Sequence, residues 1–180
     1  TTYWARNEES VRATFEALRE EGCDAIVAVM HGGTEYAPRR WKDQERMAAW
    51  AIRQGADLVI GHHPHVVQGM DVLDGVSVVY SLGNFAFGGN KDVRAAHALI
   101  ARAELHFGAD GEYLGHRLNL IPVAPSGEKD FNNYQPVFLG GAEADKAIAL
   151  AQRDTPFPLS PFAEGEGAWQ PFVPAVGRGE

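Results

Sequence analysis

Two short apolar runs, each emptying into a histidine-bearing loop, constrain this chain more than any other feature. The first is Asp24-Ala-Ile-Val-Ala-Val-Met30, followed by the polar loop His31-Gly-Gly-Thr-Glu-Tyr36 and then Pro38. The second is Asp57-Leu-Val-Ile60, followed by Gly61-His-His-Pro-His65. Runs this short and apolar, with β-branched residues, read as strands buried on both faces, as in a parallel sheet. Between them, the segment from Lys42 to Gln54 puts Met47, Trp50 and Ala51 on one helical face, and Gly55 supplies the stop. This spacing predicts a strand–helix–strand unit with a right-handed crossover. Open α/β sheets build their sites at the carboxyl ends of the strands. The two histidine clusters are therefore expected on one edge of one sheet.

The flanking segments extend the same reading. Asn7 is placed to cap a helix from Glu8 to about Glu21, with Val11, Phe15 and Leu18 on one face, an acidic first turn and Gly22 at the end. Asp74-Gly75, between Val66–Leu73 and Val76–Tyr80, is a hairpin signal. Ser81 to Phe85 forms a loop leaving that hairpin. Ala96–Phe107 and Tyr113–Pro122 read as antiparallel strands joined by Gly108-Ala-Asp-Gly111, and Ala142–Arg153 as a short helix. From Thr155 to Glu180 the chain is rich in Pro and Gly. It is expected to drape over the domain or to be partly disordered, with Phe157, Phe162, Trp169 and Phe172 favouring docking. The division is thus a domain over residues 1–154 and an extension over 155–180.

Composition narrows the class. A chain of 180 residues that is 45% apolar and 22% charged is one globular domain. A net charge of −8 argues against general nucleic-acid binding or attachment to anionic lipid. The lone Cys23 permits no internal disulfide and no zinc–cysteine cluster, and reads as core. No apolar stretch approaches the roughly 18–20 residues of a membrane helix. The first residues lack the basic start and apolar centre of a signal peptide. They also lack an initiator Met, which points to a processing or cleavage boundary before Thr1. Thr1 as an N-terminal nucleophile has no supporting constellation.

The chemistry lies with the histidines. His31, His62, His63 and His65 occupy the two strand-end loops, and Pro64 stiffens the bend between His63 and His65. Imidazole is a ligand for zinc, iron, nickel and manganese. The other reading is that these rings cap strand ends or hydrogen-bond in a polar cleft. Sharing one ion through bonds of ~2 Å requires the rings of His31, His63 and His65 to lie within about 8 Å of one another. His97, His106 and His116 fall along the antiparallel strands and read as structural or solvent-facing.

Three stretches resemble the CapA-type capsule-synthesis proteins, the poly-γ-glutamate synthesis family, which is related to the calcineurin-like metallophosphoesterases. They are Ala28 to Tyr36, Gln54 to Gly69 (with Gly61-His-His-Pro-His65) and Tyr80-Ser-Leu-Gly-Asn-Phe-Ala-Phe-Gly88, in matching order and spacing. The resemblance is strongest from Gly22 to Gly88. It implies an α/β fold, the C-terminal part of a two-sheet calcineurin-like sandwich. It implies His31, His63 and His65 as metal ligands, with His62 at a variable place of the motif and a weaker candidate. Glu35 and Asn84 match further motif positions: Glu35 would orient a ligand or substrate, and Asn84 would fix its loop. The implied cofactors are divalent manganese, zinc or iron, two of them in a complete domain.

The chain also departs from the family. Gly32 stands where a tryptophan is usual, and no Gly-Asp strand end with its Asn- and His-containing loops precedes Thr1. The expected partner is therefore the N-terminal half of the domain, as a separate chain, a cleaved segment or a neighbouring copy, since half a sandwich leaves an apolar face uncovered. With that half supplied, the resemblance implies a metal-dependent hydrolase of a phosphoester or related bond. The alternative is a non-catalytic factor in the assembly or export of an anionic surface polymer. A metal-free α/β domain is the blandest reading. Cell-surface or membrane association is expected from the resemblance alone.

Overall fold

The computed structural model describes residues 8–89 and 91–176. The expected Asn7 cap and Thr1 lie outside them. Two β-sheets pack face to face, with helices on the outer side of the first.

Sheet 1 is built from β1 (Val27–His31), β2 (Leu58–His62), β3 (Met70–Leu73) and β4 (Val76–Val79), in the order β1-β2-β4-β3. β1, β2 and β4 run parallel, and β3 returns antiparallel to β4. The hairpin turn falls on Asp74-Gly75, both at positive φ (48° and 74°). That geometry matches the right-handed strand twist, and Gly adopts it without penalty. β3 begins at Met70 rather than Val66. Val67 instead forms an isolated bridge with Leu82, drawing the chain after the histidine loop toward the site.

Helix α1 (Glu8–Glu20) and helix α2 (Lys42–Gln54) cover one face of this sheet. Phe15 packs edge-on against Trp50, with ring centroids 6.3 Å apart, beside Met30, Val59 and Val78. Each such side chain removed from water contributes roughly 1.5–3 kcal/mol. α2 begins where the Trp41 N–H donates to Gln44 Oε1 (3.0 Å), and ends on Gly55 in the left-handed region (φ 101°).

Sheet 2 is centred on β6 (Tyr113–Ala124), paired with β5 (Ala98–Phe107) and β7 (Val137–Phe138). Leu118 and Leu120 of β6 and Leu99 of β5 meet Leu58, Met70 and Val79 of sheet 1, and helix α3 (Gly141–Gln152) adds Ala147, Ile148 and Ala151. The Pro- and Gly-rich segment is tied into this sheet. Its strands β8 (Ala168–Trp169) and β9 (Val173–Pro174) both pair with β6.

β1 departs from the expected double burial. Met30 faces the helices and is buried, whereas Val27 and Val29 are 46% and 70% exposed. Their register partners Leu58 and Ile60 pack between the sheets, so the two valines lie on the inter-sheet face where sheet 2 no longer reaches. Two-sided burial requires a layer on each side; among the described residues β1 has one. Among the described residues no helix is long and apolar enough to cross a membrane.

Candidate functional site

Both histidine loops emerge at the same edge of sheet 1. The parallel register carries His31 opposite His62 at the carboxyl ends of β1 and β2. Beyond it, His63 turns sharply (φ 104°), Pro64 is buried, and His65 turns again (φ 60°). Tyr36, in the neighbouring loop, also sits at positive φ (58°), and its N–H donates to the Pro64 carbonyl at 2.7 Å. Of five non-glycine residues at positive φ among those described, three surround this edge. Such conformations cost of order 1–3 kcal/mol each and persist only where the surroundings enforce them.

Strain here brings the imidazoles together. His63 Nδ1 lies 3.2 Å from His31 Nε2, and the ring centroids are 5.0 Å apart. His63 and His65 have centroids 5.7 Å apart. Burial pushes the His63 pKa down, and the neighbouring His31 and His65 push it further, against an opposing pull from Glu35. Burial, then His31, likewise lowers that of His62. Both rings are therefore held toward the neutral, lone-pair-bearing form. Asn84 Oδ1 stands 2.7 Å from His65 Nδ1. A carbonyl oxygen can only accept, so the contact is a hydrogen bond donated by the His65 Nδ1–H, which orients the ring. Asn84 thus acts on the site through His65. Glu35 is exposed and close enough to influence the charge on His63.

The residues fit a cation in part. Two nitrogens bound at 2.0–2.1 Å to one tetrahedral ion stand about 3.3–3.4 Å apart, close to the His31–His63 separation of 3.2 Å. Among the described residues, however, no group of three or more His, Cys, Asp or Glu side chains is arranged to hold an ion. Two imidazoles are set as a pair, a third is one ring away, and His62 lines the same cleft.

The reading of the sequence missed what supports the site. Gln44 and Gln68 are buried side by side: Gln44 Nε2 donates to Gln68 Oε1 (2.8 Å) and to the Tyr80 carbonyl (3.2 Å). Gln68 Nε2 donates to the carbonyls of Ala37 and Arg39 at 2.9 and 3.0 Å. These amides pin the loop that carries Glu35 and Tyr36 to the core. Gly33 lies against them; a Cβ there would come within 2.8 Å of the Gln44 side chain. A glutamine at a core position of the helical period was the available signal. Phe87 was also missed: its ring lies 4.7 Å from that of His65. The three remaining histidines are committed elsewhere: His97 pairs with Glu143, His106 lies 3.9 Å from Glu104 and edge-on to Phe172, and His116 is fully buried, bonded to Ser77 and Tyr113.

Parallel strands ending in paired histidine loops, backed by a second antiparallel sheet, define part of a calcineurin-like α/β sandwich. Residues 1–89 match the family described as bacterial capsule synthesis protein PGA_cap. Over 69 residues, 38% of the chain, the sequence is 41% identical to a capsule biosynthesis protein CapA of Bacillus anthracis. Over 65 residues, 36% of the chain, it is 43% identical to a PGA biosynthesis protein CapA of Bacillus subtilis (strain 168). Through this segment the chain is similar to the CapA-type capsule-synthesis proteins. The matched segment spans 17% of the length of each relative.

Proposed function

We propose that this chain carries the imidazole side of a divalent-metal site in a CapA-type hydrolase acting on a phosphoester or related bond. His31 and His63 would hold the ion, with His65 as third ligand and His62 in reserve. Such an ion supplies a Lewis acid and a water of lowered pKa. The protein's own part is to keep His63 neutral, to orient the His65 ring through Asn84, and to hold both loops against the Gln44–Gln68 pair. The observation that carries the reading is the His31–His63 nitrogen pair at 3.2 Å, held by a backbone at φ 104°.

A partner completes the site in this proposal. The outer edge of β1 has no strand beside it among the described residues, and Val27 and Val29 lie open on the inter-sheet face next to His31. An additional layer there, the expected N-terminal half of the domain, would cover the valines and bring oxygen ligands toward His31.

The test is metal content and turnover of the protein together with that half. Stoichiometric zinc, manganese or iron, and phosphodiester hydrolysis lost in His31→Ala and His63→Ala, are expected. Stoichiometric metal without turnover favours the non-catalytic polymer factor. A metal-free, inactive preparation overturns both the metal site and the hydrolase.

A further inference from the structure

The histidine edge has no fixed positive side chain in its lining. Imidazole, amide and apolar groups line the cleft there, with no Lys or Arg among the described residues that do so. His62 and His63 are held toward the neutral form, and the chain carries a net charge of −8. An anion brought against such a lining loses water and gains no charged side chain in exchange. From the protein itself, a positive charge can reach a ligand there only from the rim.

Arg94 stands at that rim. Its guanidinium carbon lies 5.7 Å from the centroid of the Tyr36 ring, and that ring lies 5.9 Å from the ring of His65. The Tyr36 N–H donates to the carbonyl of Pro64, between His63 and His65, so the platform under Arg94 is fixed to the histidine loop itself. A guanidinium held over a ring face leaves its five N–H donors unspent. Arg94 is exposed, and among the described residues it forms no hydrogen bond and no ion pair, whether with Glu35 beside Tyr36 or with Asp92. The arginines just after Tyr36 are committed by contrast: Arg39 pairs with Asp154, and Arg40 with Glu45, Asp71 and Asp154. Arg94 is thus a planar donor fork with no acceptor, one ring away from His65.

We infer that Arg94 grips the substrate at the histidine edge, its fork taking an oxyanion of the substrate while Tyr36 holds it one ring from His65. The inference rests on the reading of this edge as a hydrolytic site and deepens it by naming the group that recruits the substrate. Paired oxygens that match the fork are common to a phosphoryl group and to the free carboxylate of a γ-linked glutamate chain.

The test uses the full chain, metal-free and zinc-supplemented, at low salt. Methylphosphonate, a γ-linked glutamate trimer and the same trimer with its carboxylates converted to amides are titrated by calorimetry. At least one of the two anions is expected to bind, with the amide trimer weaker than its acid. Arg94→Ala should weaken that anion by about fivefold, the upper scale of an exposed charge pair. Arg94→Lys keeps the charge without the fork and should recover only part of the loss. Lys91→Ala, which removes another exposed cation of the same segment, should change affinity less than twofold. Arg94 is exposed, so its variants should melt with the parent. Dependence on Arg94 shown by methylphosphonate identifies a phosphoryl ligand; dependence shown by the trimer identifies the carboxylate chain. Anion affinity unchanged in Arg94→Ala, an equal loss in Lys91→Ala, or no anion bound by the parent overturns the inference. Binding that depends on Arg94, in a protein that never takes up metal, keeps the grip and removes the hydrolase. Metal uptake with anion affinity unchanged in Arg94→Ala does the reverse.

Discussion

At the scale of single residues, the site exchanges stability for arrangement. His63 at φ 104° occupies a region that glycine adopts freely. His63→Gly is expected to leave the fold unchanged or more stable by up to about 2 kcal/mol, strain relief being offset by a more flexible unfolded chain. The same variant should lose metal affinity. Urea denaturation beside a zinc titration reads both, and destabilisation by more than about 1 kcal/mol would mean the turn is not strained. Asn84→Ala removes the acceptor that orients the His65 ring. Loss of such a partner costs 10–100-fold in metal affinity, so a titration unchanged from the parent would separate Asn84 from the site. The strand-end placement of His31, His63 and His65 was legible in the sequence, because a histidine after a short apolar run announces itself; Asn84 was singled out through the family resemblance alone. Which nitrogen faces which was not legible, because that depends on backbone turns of two consecutive loops.

At the scale of elements, the two glutamines decide where the first histidine loop lies. Gln68→Ala would leave the Ala37 and Arg39 carbonyls and one Gln44 N–H without their partner. Unsatisfied buried groups cost roughly 1–3 kcal/mol each. A loss of about 2–4 kcal/mol in unfolding free energy is expected, together with faster hydrogen exchange at the amides of residues 34–40. A loss below 1 kcal/mol would show that the loop is held by other contacts. Helix α2 and strands β1, β2, β5 and β6 were legible to within a few residues, since hydrophobic period and turn glycines specify each locally. The β1 burial was misread for the converse reason. An apolar strand states that it favours cover, not whether the neighbouring sheet is wide enough to provide it. β8 and β9 were also hidden, because two-residue strands carry no period and exist only where β6 offers free pairing.

At the scale of the whole molecule, one histidine joins the two sheets. His116 of β6 contacts Ser77 Oγ of β4 at 2.7 Å, and Gln170 Nε2 donates to the same Ser77 oxygen at 2.7 Å. Burial lowers the His116 pKa, with Asp57 opposing. The folded chain therefore takes up this proton at a lower pH than the unfolded chain, whose imidazole titrates near the ordinary value of about 6.5. Between the two values the unfolded chain binds more protons, so stability rises with pH. The contribution is complete above about pH 6.5 and is lost as pH falls toward the folded-state pKa. Denaturation between pH 5 and 8 should show this slope, and His116→Gln should reduce it; equal slopes in the two proteins would assign the effect to other groups. The sequence reading left His116 as structural or solvent-facing. Only the stacking of the sheets makes it the link between them.

The sequence by itself determined the order of elements, the parallel strand pair with its histidine-bearing ends, and the resemblance to the capsule-synthesis proteins, because these rest on local period, turn chemistry and short motifs. Tertiary structure alone decided the 3.2 Å approach of His31 and His63, the contact between Asn84 and His65, the open face of β1 and the mixed imidazole and apolar lining of the cleft. Each of these depends on contacts between segments far apart in the chain. A distance or a burial of that kind is a property of how elements pack, and no single stretch of residues encodes it.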